Sequence, residues 1–222
     1  MGIKKIITRL KQKQKIDELN KCNNIQIPKK SMIYLDIKGK NNTVIINDRH
    51  SNQLKIHIYG DNNTVIIDKN VHILALDIYF GAYHESFGRV CNSSFTIGEN
   101  TSIEGMKYIT YNSNSFCNIG KNCLISYDVD LYNTDGHPIF DKETGEMINK
   151  VKGITIGDHT WLGSKVSILK NSTIPENSIV GWGAVFSGSK FTEPNCAYAG
   201  NPAKLVRRNI TWDSERIKHG YT

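Results

Sequence analysis

The chain has 222 residues, 28 Lys or Arg against 21 Asp or Glu, and a net charge of +7. That length suits a single domain, and no stretch approaches the ~20 apolar residues of a membrane span. Five cysteines, an odd number without CxxC spacing, argue against a disulfide framework or a zinc site.

Residues 1–30 carry nine Lys or Arg against Asp17 and Glu18, a surplus of seven that equals the charge of the whole chain. The basic character therefore belongs to an arm, not to the body. Ile3, Ile6, Ile7 and Leu10 fall on one face of an expected helix, with lysines elsewhere. Two roles fit: a cap on the end of the fold, or a peripheral contact with an anionic membrane surface. Nucleic acid is disfavoured, because no aromatic residues interleave the basic ones. A secretory signal does not fit, since Lys and Arg interrupt the apolar run.

From Ile37, IKGKNNTVIIND recurs at Ile58 as IYGDNNTVIIDK, an offset of 21. A six-residue phase follows. It runs through Ile97, Ile103 and Ile109, then Ile119, Ile125 and Leu131. It is cleanest at Ile156, Leu162, Ile168, Ile174, Val180 and Phe186. Small or modest residues sit four places after the first five, Thr160, Val166, Ser172, Ser178 and Ala184, and Lys190 closes the pattern. A period of six fits neither a 3.6-residue helix nor a two-residue strand alternation. It fits a parallel β-helix, with large residues filling the interior and small ones turning the corners. The first 21-residue coils are expected to be irregular. Cys117 and Cys123 share the small-residue phase, which favours a buried apolar role over a reactive thiol.

The repeat breaks after Leu131. YNTDGHPIF and a polar stretch of turn formers follow, and the hexads resume at Ile156. Residues 138–153 are expected to form a loop thrown out of the coil, starting directly after His137. Solenoids commonly place function on such insertions. A histidine there suits a general base, or equally a hydrogen-bonder of the loop. His50, His57, His72 and His84 have no comparable setting, His159 falls at an outward corner, and His219 lies in the tail.

The hexads, with TDGHPI, GDHTWLG and AGNPAK in that order, resemble the hexapeptide-repeat acyltransferases. The resemblance covers about residues 95–212 and is nearest to the branch that O-acetylates bacterial surface polysaccharides: capsule, lipopolysaccharide and polysialic acid. It implies an all-β fold, a left-handed parallel β-helix assembled as a homotrimer. Active sites would lie between subunits, with acetyl-CoA as donor, a saccharide acceptor and no metal. The expected parts are a helical arm (1–30), the β-helix (31–200) with its loop, and a short helical tail (201–222). His137 matches the family's general base, and Trp161 the tryptophan lining the acetyl-donor thiol site. Asp135 either orients the imidazole or makes an Asx-turn before Gly136. Ser164 and Trp182, three hexads apart, begin a coenzyme A ladder continued by Gly183, Ala184 and Ser187, which presents backbone amides. Gly200 permits close approach, and Lys204, Arg207 and Arg208 meet the phosphates. The family often has a threonine-lysine pair where this chain reads Ser187-Gly188, with Lys190 the nearest substitute. Trp182 stands where a small residue is common.

The activity this implies is O-acetyl transfer through a ternary complex, in the cytoplasm, with the arm either capping the fold or contacting the inner face of the membrane. The alternatives are a small acceptor, such as an amino sugar nucleotide or oligosaccharide, and a non-catalytic solenoid binding protein. A γ-class carbonic anhydrase would need two further histidines placed with His137, and the spacing supplies none.

Overall fold

A computed structural model describes residues 3–29, 31–48, 50, 53–81, 88–189 and 191–215; at 3–9 it describes the backbone only. Three seven-stranded sheets, parallel but for the last pairing of one, wrap a single core. The first face runs from Asn24–Gln26 to Thr173–Ile174. The second runs from His72–Ile73 to Lys204–Arg207, and the third from Ile33–Lys38 to Val185–Phe186. This is the expected left-handed β-helix.

Each face contributes an interior column set by strand register. Ile46, Ile67, Ile97, Ile119, Ile156 and Ile174 stack on the first face. Ile73, Ile103, Ile125, Leu162, Val180 and Tyr198 stack on the second. Leu35, Ile56, Ile78, Tyr108, Leu131, Ile168 and Phe186 stack on the third. The hexad ladder from Ile156 to Phe186 thus visits the three faces in turn, and every member is at most 2% exposed. Burial of like side chains above and below one another gives each coil a core it could not form alone.

One step of the expected phase is wrong. Tyr108, not Ile109, points inward; Ile109 aligns with Tyr79 and Tyr132 on the outer surface. The corner at Glu104-Gly105 is one residue shorter, so the register moves by one and the facing inverts. The two NNTVII coils are also more regular than expected. Thr43 pairs with Thr64 and Val44 with Val65 in direct register. Their second asparagines point inward as a ladder. Asn63 Nδ2 donates to Asn42 Oδ1 at 3.1 Å, and Asn63 Oδ1 accepts from Ser93 N at 3.1 Å.

The corners explain the many asparagines. Eleven of the fourteen described non-glycine residues with positive φ are Asn. Asn tolerates the left-handed region because its short amide bonds locally. His159 occupies the same kind of corner, and its Nδ1 is 2.9 Å from Asn177 Oδ1.

Both ends are covered. Helix α1 (Ile3–Leu19) lies against the first coil: Ile16 and Leu19 meet the core, and Gln12 Nε2 donates to Ile33 O at 3.5 Å. Leu10 is 63% exposed, and the side chains of Ile3, Ile6 and Ile7 lie outside the description. The solenoid begins at Asn24, inside the segment assigned to the arm. At the far end, residues 201–215 contain no helix. Lys204–Arg207 instead forms an antiparallel strand on Ala197–Ala199. An open sheet edge leaves N–H and C=O groups unpaired, and the tail pairs with them. Residues 216–222 lie outside the description, as do His84 and Lys190.

Candidate active site

The coil opens between the third-face strand Val129–Tyr132 and the first-face strand Gly153–Ile156. Residues 133–152 leave it as a hairpin. Ile148 N donates to Ile139 O at 2.9 Å and Asp141 N to Glu146 O at 2.8 Å. Asp141 closes the tip, accepting from Glu143 N and Thr144 N at 3.0 and 2.8 Å. Those donors and the Thr144 hydroxyl hold its carboxyl below its ordinary pKa. At the root, Asn133 is fully buried and donates to Phe116 O at 3.1 Å.

His137 sits at that root, exposed to solvent. It lines a cleft of about 150 Å³ with Tyr111, Thr134, Asp135, Met147 and Asn149. Thr134 Oγ1 accepts from Gly136 N at 3.0 Å, and Gly136 has φ +76°, so the chain turns sharply just before the histidine. Asp135 does neither of the things expected of it. The turn is made by Thr134, and among the described residues no hydrogen bond joins the carboxylate to the imidazole. Asp135 Oδ2 accepts from Asn149 Nδ2 at 2.7 Å and pairs with Lys170 Nζ at 2.5 Å. Partial burial pushes the Asp135 carboxyl up, but the Lys170 and Asn149 hydrogen bonds outweigh it, so the pKa is lowered. Asn149 Nδ2 also donates to the His137 carbonyl at 2.9 Å. Lys170 and Asn149 were not legible as site residues. A lysine at a hexad corner and an asparagine in a polar loop carry no local signal.

The donor-side candidates occupy other corners. Trp161 opens a second-face strand, points outward and is 37% exposed. Its indole N–H is 3.4 Å from Ser126 Oγ, and its backbone N–H donates to Ser178 O at 2.9 Å. Ser164 and Trp182 lie at the corner between the second and third faces, one coil apart, as the Gly183 N to Ser164 O bond of 3.0 Å records. Trp182 is 70% exposed, with Lys165 Nζ 5.8 Å from its ring centroid. Two expected amides are already engaged: Gly183 N as stated, and Ala184 N with Gly181 O at 3.2 Å; Ala184 is itself buried. Ser187 and Gly200 are exposed, Gly200 with φ +98°. Lys204 and Arg207 are exposed without an ion-pair partner among the described residues, whereas Arg208 Nε bonds Glu193 Oε1 at 2.7 Å.

The chain thus gathers His137, Asp135, Asn149 and Lys170 at one corner and sets Trp161, Ser164 and Trp182 at others. Among the described residues no cluster of three His, Cys, Asp or Glu is placed to hold a metal ion.

No family model matches the chain. A polysialic acid O-acetyltransferase of Neisseria meningitidis is 38% identical over 189 residues, covering 79% of this chain and 87% of the relative. One of Escherichia coli O1:K1 / APEC is 38% identical over 121 residues, 54% of this chain; that match spans only 38% of the relative's length. The crystal structure of the polySia-specific acetyltransferase NeuO superposes with a TM-score of 0.74 at 33% identity, covering 90% of this chain and 86% of that one. The coil register and these relatives agree, and the chain belongs to the hexapeptide-repeat O-acetyltransferases, in the family of the polysialic acid O-acetyltransferases.

Proposed function

We propose that the protein transfers an acetyl group from acetyl-CoA to a hydroxyl of a bacterial surface polysaccharide, with a sialic-acid-containing glycan as the preferred acceptor. The observation that carries this reading is His137, exposed in a cleft at the root of the one described hairpin that leaves the coil. The acceptor of the Neisseria meningitidis relative, polysialic acid, supports the choice of polymer.

His137 takes the proton of the acceptor hydroxyl as its oxygen attacks the thioester carbonyl, a contribution of roughly 10²–10⁴-fold. The C–O bond forms, the C–S bond breaks, and the proton passes from His137 to the departing sulfur. Acetyl-CoA supplies the activated acetyl group as a thioester. Ser164 and Trp182 offer an exposed corner for its pantetheine and adenine, Trp161 the wall of the thiol site, and Lys204 and Arg207 free cations for its phosphates. Arg208 is the weaker candidate, being held by Glu193. Direct transfer is favoured over an acyl-enzyme. Cys117 and Cys123 are buried, which pushes both thiols up, Cys123 to about 11.

A homotrimer completes the site in this reading. His137 and the donor-side residues lie on different corners of one chain, so a neighbour has to bring them together. Ile139, Phe140, Met147 and Ile148 leave the hairpin with exposed apolar side chains that suit such a contact. A peripheral membrane contact through α1 belongs to the same proposal, since Leu10, Lys11 and Lys13 are exposed. No described helix is long and apolar enough to cross a membrane.

The test is transfer from labelled acetyl-CoA to polysialic acid, free sialic acid, a galactoside and an amino sugar nucleotide. Polymer labelling is expected. Labelling confined to a small acceptor would favour the alternative enzyme. No labelling, with no thermal protection by coenzyme A, would leave a binding solenoid.

A further inference from the structure

We propose that Lys170 is a positioning residue for the transfer: by tying together Asp135 and Asn149, it fixes the hairpin root that aims His137 at the acceptor. The inference rests on the reading of His137 as general base.

Lys170 follows the third-face strand Ser167–Leu169, at the same corner as the hairpin and one coil beyond it. Its side chain is only 17% exposed, unusual for a lysine. The ammonium reaches Asp135 Oδ2 at 2.5 Å on the outgoing arm and Asn149 O at 2.9 Å on the returning arm. Asn149 completes the knot. Its Nδ2 donates to Asp135 Oδ2 and to the His137 carbonyl, and its Oδ1 accepts from Ile139 N at 2.8 Å. Residues two before and two after His137 are therefore held by one cluster. Asn171 secures the returning arm as well, donating to Lys150 O at 2.9 Å and accepting from Lys152 N at 2.7 Å.

The imidazole itself has no hydrogen-bond partner among the described residues, so its placement depends on the backbone beneath it. A half-buried ion pair is a poor source of net stability, because desolvation offsets the attraction. Its benefit is geometric: a cation and a carboxylate that must meet permit few arrangements of the two arms. Residues that orient metal-bound side chains from behind, a comparable positioning role, change activity about 10–100-fold when removed, and small displacements of a reacting group are costly.

The test compares the full-length Lys170→Met, Lys170→Arg, Asp135→Asn and Lys170→Met/Asp135→Asn proteins with the wild type. Lys170→Met is expected to lower kcat about 10–100-fold with the KM for acetyl-CoA and the melting temperature little changed. Lys170→Arg should recover most of the loss, and the double variant should be no worse than the poorer single, since the residues act as one unit. A wild-type kcat in Lys170→Met, a loss carried by KM, or multiplicative losses in the double variant would overturn the proposal. Asn149→Ala serves as a second probe if Lys170→Met folds poorly, with the same kcat loss expected. His137→Ala in parallel separates the two readings: activity there removes the base assignment, whereas an inactive His137→Ala beside a fully active Lys170→Met removes only this inference.

Discussion

Trp212 lies flat on His159, with ring centroids 4.3 Å apart and planes 7° from parallel, and its indole N–H donates to the His159 carbonyl at 2.8 Å. The same indole is 6.1 Å from the ring of Trp161. The segment after the last strand thus returns across the corner between the first and second faces and backs the candidate thiol-site tryptophan. Trp212→Ala should cost about 1–3 kcal/mol, from the lost stack and hydrogen bond. Trp212→Phe, which keeps a ring, should cost about half as much. Denaturant unfolding of both variants checks this; equal stability to wild type would mean the stack contributes nothing.

His137→Ala should lower kcat by at least about 10²-fold, the low end for general-base catalysis, while coenzyme A still raises the melting temperature. Steady-state kinetics and thermal shift on one preparation measure both. Retention of more than about a tenth of the wild-type rate would remove His137 from the mechanism.

The interior asparagine ladder makes a sharper stability test than any one isoleucine. Asn63 is 1% exposed, donates to Asn42 Oδ1 and Val90 O, and accepts from Ser93 N. Asn63→Ala strands two buried partners, Val90 O and Ser93 N, while Asn42 Oδ1 keeps its bond from Asn63 N, and each unsatisfied group costs about 1–3 kcal/mol. A total loss of about 2–5 kcal/mol by chemical denaturation is expected. A loss below about 0.5 kcal/mol would show that the ladder is incidental.

The hexad ladder was legible because burial in a solenoid repeats with the coil, so one period names the interior column. Ile109 failed for a local reason: a corner shorter by one residue inverts every following side chain until the next corner resets it. The strand at Lys204–Arg207 was hidden because it forms only to satisfy an edge that the sequence does not display. The break at His137 could be read from the pattern. Lys170 and Asn149 could not, since their roles arise from contacts across 35 and 14 residues with Asp135. The asparagine richness had a physical cause at the corners, where left-handed backbone favours that side chain.

Two buried histidines should give the fold an acid sensitivity. His50 is 5% exposed, its Nε2 has no hydrogen-bond partner, and burial lowers its pKa. His57, 2% exposed and stacked on Tyr79 at 4.5 Å, is lowered for the same reason, against the opposing pull of Asp36. The unfolded chain therefore binds protons more readily than the folded one. Their effect is absent above the unfolded histidine pKa of about 6.5 and destabilises progressively as pH falls below it. Each site can add a slope of at most about 1.4 kcal/mol per pH unit. Unfolding free energies between pH 7.5 and 5 should fall, and His50→Phe should flatten the curve. An unchanged slope would show that His50 is reached by water when charged.

Truncation of the basic arm distinguishes a membrane contact from a cap, provided that the cap itself is kept. Ile16, Leu19 and Ile25 belong to or meet the core, so a chain starting at Ser31 would lose its cap and first strand together. Deleting residues 1–10 leaves those contacts and removes Lys4, Lys5, Arg9 and Leu10. Near an anionic surface each basic residue contributes about 1 kcal/mol, so three should change vesicle partitioning by roughly two orders of magnitude at low salt. The effect should shrink at high salt, where the Debye length falls to about 3 Å. The deleted protein should keep its melting temperature within a few degrees and its rate on a soluble acceptor. Co-sedimentation with phosphatidylserine-containing vesicles measures the partitioning. Equal binding by both chains, or none by either, would leave α1 as a cap on the solenoid and nothing more.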